Sequence, residues 1–357
     1  MSRSILRVRT GVFSNSAKKS GRYSRVEDYA ITLACRNYDG TNAILRGLVR
    51  PKGVELRVIE ENDVPKMFTG MFRGEYDVSE MSLAELIYYQ SRDQCDFIGI
   101  PVFPSRIFRH SYILCNASSG ITSGESLNGK KIGCLRWVQT AHVWVRGMLV
   151  EEYGISSENT RWYVWDVHHW QGANVNVEPR DGSVIHRLQW SGRNEYESSC
   201  AALLEGGLDV LITTENLKYA ALLEDNRVKR LFEDFPEVEA AYYRKTKIFP
   251  IMHTLVVRKS VAERHPDLPA QLFELFSQSK KIGQESILAI PSLSMAWKTH
   301  YLEMERKIFE RDPWAYGLEK NKHIIAKFLS YCHEQGVSAR RLGPEELFVP
   351  STWNLSE

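Results

Sequence analysis

Two histidines in this sequence stand where polar residues lead into an apolar strand. One lies in Pro104-Ser105-Arg106-Ile107-Phe108-Arg109-His110-Ser111, which runs into the apolar stretch Tyr112 to Cys115. The other lies in Phe249-Pro250-Ile251-Met252-His253-Thr254, followed by Leu255-Val256-Val257. Imidazole titrates near neutrality, so two such groups at the floor of a cleft can take up and return a proton. If the first segment is extended, alternation places Arg106, Phe108 and His110 on one face, so Arg106 and His110 are expected to address one ligand. His253 is expected to meet His110 there, with Glu80 as a further base.

The same chemistry needs cations and N–H donors for an anion. In open α/β sheets, ligands bind beyond the carboxyl ends of strands, near helix N-termini whose free N–H groups favour negative charge. Four turns fit this description: Arg36 to Thr41, Glu80-Met81-Ser82, Arg136 to Thr140, and Thr213-Thr214-Glu215. Arg36, Arg106 and Arg136 are the candidate carboxylate partners, because guanidinium offers a bidentate fork. Tyr38, Asp39, Ser82, Gln139, Thr140 and Glu215 are the candidate lining. Each polar residue also has a local use. Ser82 followed by Glu85 fits a helix capping box, Thr41 and Thr140 can cap helices, and Asp39 before Gly40 can satisfy its own turn. His168-His169 sits in an aromatic, loop-like stretch from which one ring is expected to face the cleft.

Elements that could hold these groups alternate along the chain. Ala30 to Cys35 reads as a strand, and Ile44, Leu45, Leu48 and Val49 form a helical stripe that Pro51 and Gly53 end before a strand over Val54 to Ile59. Asp63 can cap a helix striped by Met67, Phe68, Met71 and Phe72, closed by Gly74 before a strand over Tyr76 to Ser79. Ser82 to Arg92 reads as helix and Phe97 to Phe103 as strand. The second half repeats the order, with strands over Lys131 to Leu135 and Arg161 to Asp166 around a helix from Thr140 to Tyr153, which Gly154 stops. Gly206-Gly207-Leu208-Asp209-Val210 echoes Gly74-Glu75-Tyr76-Asp77-Val78. From Pro266 the pattern is helical, through a break at Pro291, to about Gln335. The predicted fold class is α/β, two-lobed, with mostly parallel sheets and a C-terminal helical region. One lobe is expected over 29–111 and 254–357, the other over 112–253, and 1–28 is a basic arm.

Composition sets the outer limits. At 357 residues the chain suits two lobes, and its 43% hydrophobic and 25% charged content is ordinary for a globular protein. A net charge of +2 argues against nucleic acid, and no apolar run is long enough for a bilayer. A cytoplasmic setting is expected, because the basic N-terminal arm is not followed by an apolar segment of the export type. The arm reads as a disordered or strapping extension, with organelle targeting as the alternative. The six cysteines form no Cys-x-x-Cys pair and read as small buried hydrophobes. No cofactor is expected. A divalent metal held by His110, His253, Glu80 and Asp39 is left open, because spacing cannot establish a site built from distant positions. Homo-oligomer formation is left open as well.

Several segments carry a resemblance to a known family. They are Ser105 to Ser111, Gln139-Thr140-Ala141 with Val143-Trp144-Val145-Arg146-Gly147, and Ile248 to Thr254. Asp312-Pro313-Trp314-Ala315-Tyr316-Gly317-Leu318-Glu319 and Glu345-Glu346-Leu347-Phe348 add to them. In these the chain resembles the 4,5-dihydroxyphthalate decarboxylase family, a relative of type II periplasmic solute-binding proteins, from about Ile31 to Thr352. The resemblance implies two lobes joined by strands that cross near His110 and His253. It further implies loss of CO2 from an aromatic acid in the cleft between them. Leu135-Arg136-Trp137 departs from the family's usual tripeptide in a turn expected to face that cleft. The rival expectation is a non-catalytic binding protein for a small aromatic or other organic acid.

Overall fold

The computed structural model describes residues 30–166, 177–188, 195–214, 219–289 and 295–357. The basic arm, His168-His169, Glu215 and the Pro291 break lie outside the described residues.

In chain order the elements are β1 (Ile31–Cys35), α1 (Asn42–Leu45), β2 (Leu56–Glu60), α2 (Val64–Arg73), β3 (Val78–Ser82), α3 (Leu83–Gln90) and β4 (Phe97–Arg106). A 3-10 turn over His110–Tyr112 leads into β5 (Ile113–Asn116), followed by β6 (Lys131–Arg136), α4 (Thr140–Tyr153), β7 (Arg161–Asp166) and β8 (Val184–Arg187). Then come α5 (Glu195–Leu204), β9 (Val210–Ile212), β10 (Val228–Arg230), α6 (Phe235–Thr246) and β11 (Ile251–Arg258). The chain ends in α7 (Lys259–Arg264), α8 (Leu268–Ala289), α9 (Lys298–Ile308) and α10 (Leu318–Glu334).

Two mixed α/β sheets result, ordered β2-β1-β3-β11-β4 and β10-β5-β9-β6-β7-β8. β1, β2 and β3 run parallel, as do β6, β7, β8 and β9. Every antiparallel pairing involves β4, β5, β10 or β11. β11 returns from the second sheet to the first and inserts between β3 and β4, which reverses its direction. Local periodicity does not reveal that insertion.

The sequence echo has an atomic counterpart. Gly74 and Gly206 both adopt positive φ, 82° and 75°, where a side chain is disfavoured. Four residues on, Val78 and Val210 open β3 and β9. The aspartate just before each strand binds the neighbouring strand's backbone. Asp77 Oδ2 accepts from Thr32 N at 2.8 Å, and Asp209 Oδ2 accepts from Lys131 N at 2.8 Å. Each carboxylate thus pins the start of the last parallel strand of its half to the first.

Local signals mark several helix ends. The Asp63 side chain accepts from Lys66 N at 3.0 Å, and Gly154 closes α4 at φ 64°. α1 is shorter than its apolar stripe predicts. Gly47 turns the chain at φ 67°, so Leu48 falls off the helix and is exposed.

One apolar core joins elements of both sheets. Trp144 on α4 stacks on Phe328 of α10 at 4.8 Å, and its indole N–H donates to Ile251 O at 2.9 Å. α4 and α10 approach closely because Gly147 faces Tyr331, whose ring lies 2.3 Å from where a Cβ would stand. These contacts fix the N-terminus of α4 beside the first sheet. Among the described residues no helix is long and apolar enough to cross a membrane.

Candidate active site

The carboxyl ends of β1 and β3 and the beginning of antiparallel β11 meet at one edge of the first sheet. Register places His253 opposite Ser82 on β3 and Ser105 on β4. Glu80 lies two residues before Ser82, on the strand next to β11. The pairing brings His253 Nδ1 to 2.5 Å from Glu80 Oε1, across 173 residues of sequence. Tyr38, in the turn after β1, donates its hydroxyl to the same Oε1 at 2.8 Å.

Burial gives this trio its character. The Glu80 side chain is 0% exposed and that of His253 is 16% exposed, so the imidazole is the group that reaches the surface of the site. The second carboxylate oxygen, Oε2, is buried without a hydrogen-bond partner. A carboxylate accepting from Nδ1–H fixes the ring's tautomer and leaves the Nε2 lone pair free. Phe68 meets the imidazole edge-on at 5.3 Å and holds its plane. Burial and the Glu80 charge push the Tyr38 phenol far above its ordinary pKa, against the opposing effects of Arg36 and a Ser105 hydrogen bond. Tyr38 is therefore a donor that keeps its proton.

Around the trio are groups suited to an anion. Arg36 lies 5.4 Å from the Tyr38 ring, and its buried Nε has no partner. Ser82 caps α3 by accepting from Glu85 N at 3.5 Å, the local use its spacing suggested, and it does more. Its hydroxyl lies 2.9 Å from Thr140 Oγ1, which also accepts from Ala84 N at 3.0 Å. Thr140 opens α4, so the N-termini of a helix from each sheet face one another there. Gln139 precedes it, with Oε1 buried and unpartnered.

Other candidates are placed differently. Arg106 is buried, and its guanidinium is held by protein oxygens: Ala315 O at 2.9 Å, Asn321 Oδ1 at 2.6 Å and Phe249 O at 3.4 Å. It does not join the Glu80–His253 group. His110 does not join it either, which corrects the expectation of a histidine pair. The extended chain ends at Arg106, and His110 opens a 3-10 turn instead of continuing the alternation. Its ring is 1% exposed and boxed by Tyr153, Phe232 and Tyr242 at 5.3–6.4 Å, and neither ring nitrogen has a hydrogen bond. Burial lowers its pKa to about 4, so it stays neutral.

Asp39 is exposed beside a cavity of about 780 Å³ lined by Tyr38, Lys280, Met295, Tyr301 and Trp314, among others, which does not include Glu80 or His253. Arg136 ends β6, and its carbonyl accepts from His142 Nδ1 at 2.8 Å. Among the described residues no three His, Cys, Asp or Glu side chains are grouped to hold a metal ion. All six cysteines are buried, and burial raises Cys134 to about 11, which keeps it a thiol. Ser105 and Phe68 escaped the sequence reading. Ser105 is marked by its register opposite His253 and its hydrogen bond with Tyr38, and Phe68 reads as one more apolar residue in the α2 stripe.

The His110 box has a pH consequence. Glu239 Oε1 lies 3.9 Å from His110 Nδ1 and accepts from Ser111 N at 3.3 Å. Burial raises Glu239 from 4.5 to about 7, while backbone N–H groups and Arg109 pull the other way. A raised folded pKa means this contribution to stability is complete below about pH 4.5 and lost as pH rises through about 7. Glu239→Gln removes that loss. The variant is expected to gain about 1–3 kcal/mol over the parent on going from pH 5 to pH 8. Urea unfolding of both proteins at the two pH values measures it, and parallel pH dependences would refute the assignment.

No protein-family model matches the chain. A Comamonas testosteroni protein named 4,5-dihydroxyphthalate decarboxylase is 34% identical over 328 residues, covering 90% of this chain and 97% of that protein. Among solved structures, the periplasmic aliphatic sulphonate-binding protein of Escherichia coli superposes with a TM-score of 0.53 at 14% identity, over 91% of this chain and 99% of that one. A Candida albicans protein described as having the generic periplasmic binding protein fold gives 0.50 at 10% identity, over 92% and 99%. The two structural matches establish a periplasmic-binding-protein-like fold.

Proposed function

The chain belongs to the 4,5-dihydroxyphthalate decarboxylase family, and from that premise we propose that this carboxy-lyase removes CO2 from a hydroxylated aromatic acid, 4,5-dihydroxyphthalate or a related phthalate. The observation that carries the mechanism is the 2.5 Å contact between His253 Nδ1 and buried Glu80.

The proposed cleft lies between a lobe of residues 29–111 and 254–357 and a lobe of residues 112–253. His253 Nε2 takes the proton of the hydroxyl para to the departing carboxylate. The phenolate electrons raise the density at the ring carbon that bears this carboxylate, and that carbon accepts a proton from solvent. The C–C bond then breaks, its electron pair restores the aromatic ring, CO2 leaves, and the imidazolium returns the phenolic proton. One proton is consumed for each CO2 formed. Glu80 steadies the imidazolium, and Tyr38 fixes the carboxylate by donating to it. Arg36, Gln139, and the helix N-termini at Ser82 and Thr140 supply donors for the substrate's carboxylates.

Hydroxyl position is the test. CO2 release is expected from phthalates with a hydroxyl para to a carboxylate, at rates at least about 100-fold above bare phthalate, because the general base has no proton to remove from the latter. Tight binding of the whole panel with no CO2 from any member would instead describe a binding protein.

A further inference from the structure

We propose that Arg109 is the substrate-binding residue that holds the carboxylate remaining on the ring after CO2 has left. The inference rests on the decarboxylase reading above and assigns a role to a residue that reading does not use.

Among the described residues three arginines are almost wholly buried, and they differ in what receives their N–H groups. Arg106 reaches three protein oxygens. Arg146 donates to Gln335 Oε1 at 2.8 Å and Trp137 O at 2.8 Å, and stacks on the Trp137 ring at 3.8 Å. Arg146 is a satisfied structural cation, and Arg106 is held at both terminal nitrogens by protein oxygens, with only its Nε left over. Arg109 directs Nε and one terminal nitrogen at the Met252 thioether, at 3.3 and 2.7 Å, and its other terminal nitrogen at Thr214 O, at 3.3 Å. A thioether is a weak acceptor, and a long carbonyl contact does not neutralise a buried guanidinium. No carboxylate lies within ion-pair distance of Arg109 among the described residues. The nearby acid, Glu239, points its Oε1 at the backbone N–H of Ser111.

A buried guanidinium with five donors and no anion is costly unless something completes it. Its position says what that is. Thr214 follows β9, which runs parallel to β6, and the turn after β6 carries Gln139 and Thr140. His142, on the first turn of α4, feels the Arg109 charge. Arg109 thus stands at the carboxyl edge of the second sheet while the Glu80–His253 pair stands at that of the first. An aromatic diacid spanning this space would place a phenol against His253 and a carboxylate on Arg109. The fork geometry of guanidinium matches a carboxylate in two parallel hydrogen bonds.

The test compares 3,4-dihydroxybenzoate, which keeps one carboxylate, with catechol, which has none, by calorimetry at fixed ionic strength. The parent protein is expected to bind the acid at least about tenfold more tightly than catechol. Arg109→Gln is expected to bring the two affinities within about twofold while leaving catechol binding unchanged. A packing defect would weaken both ligands together. Should Arg109→Gln fail to fold, Arg109→Lys decides the matter, because it keeps the charge and loses the fork. A preference cut several-fold supports the role, and one within twofold of the parent's overturns it. Turnover of 4,5-dihydroxyphthalate by the parent protein is followed in parallel. Absence of turnover there rejects the decarboxylase reading, whereas normal turnover with an undiminished acid preference in both variants rejects Arg109 alone.

Discussion

Replacing His253 with Asn is expected to lower kcat for decarboxylation by about 100- to 10,000-fold, the range spanned by positioned general acid–base groups, while KM stays within about threefold. Asparagine keeps a polar group of similar reach beside Glu80 but has no lone pair of imidazole basicity. Substrate binding depends on other groups, Arg36, Arg109 and the donors at Ser82, Gln139 and Thr140. Steady-state kinetics on 4,5-dihydroxyphthalate separates these quantities. A rise in KM with kcat preserved would make His253 a binding residue and would remove the proposed base.

Glu80→Gln should come close to the same loss, about 100-fold or more in kcat, because the amide still accepts a hydrogen bond at its oxygen but no longer stabilises an imidazolium. The double variant makes the stronger case. Two groups that act as one unit lose their function once, so Glu80→Gln combined with His253→Asn is expected to be no worse than His253→Asn alone, within about threefold. If the single losses multiply in the double variant, Glu80 and His253 act independently, and the 2.5 Å contact is structural.

The legible part of this molecule lies where the physics is local. Gly74 and Gly206 announce helix ends because positive φ suits a residue without a Cβ, and the Asp-Val that follows each one announces a strand held to its neighbour. Ser82 and Glu85 announce a cap three residues apart. Glu80 and His253 were recognisable as residue types at strand edges. Their contact was not, because it depends on β11 entering antiparallel between β3 and β4. His110 shows the limit from the other side. Alternation extended past Arg106 puts it in the cleft, whereas the backbone turns at residues 107–109 and encloses it with Tyr153, Phe232 and Tyr242, all distant in sequence. The same turn separates Arg106 from Arg109, the cation proposed above for the remaining carboxylate. Arg106 is held by Ala315 and Asn321, which come from the C-terminal region and which no local pattern could link to it.

The central claim is that this chain is a decarboxylase that works through a phenol para to the departing group. The most direct measurement is CO2 evolved against substrate consumed for 4,5-dihydroxyphthalate and for phthalate, with the parent protein and His253→Asn side by side. One CO2 per 4,5-dihydroxyphthalate from the parent, almost none from phthalate, and a rate at least about 100-fold lower in the variant is the expected result. Equal CO2 release from phthalate, or an undiminished rate in His253→Asn, would contradict it.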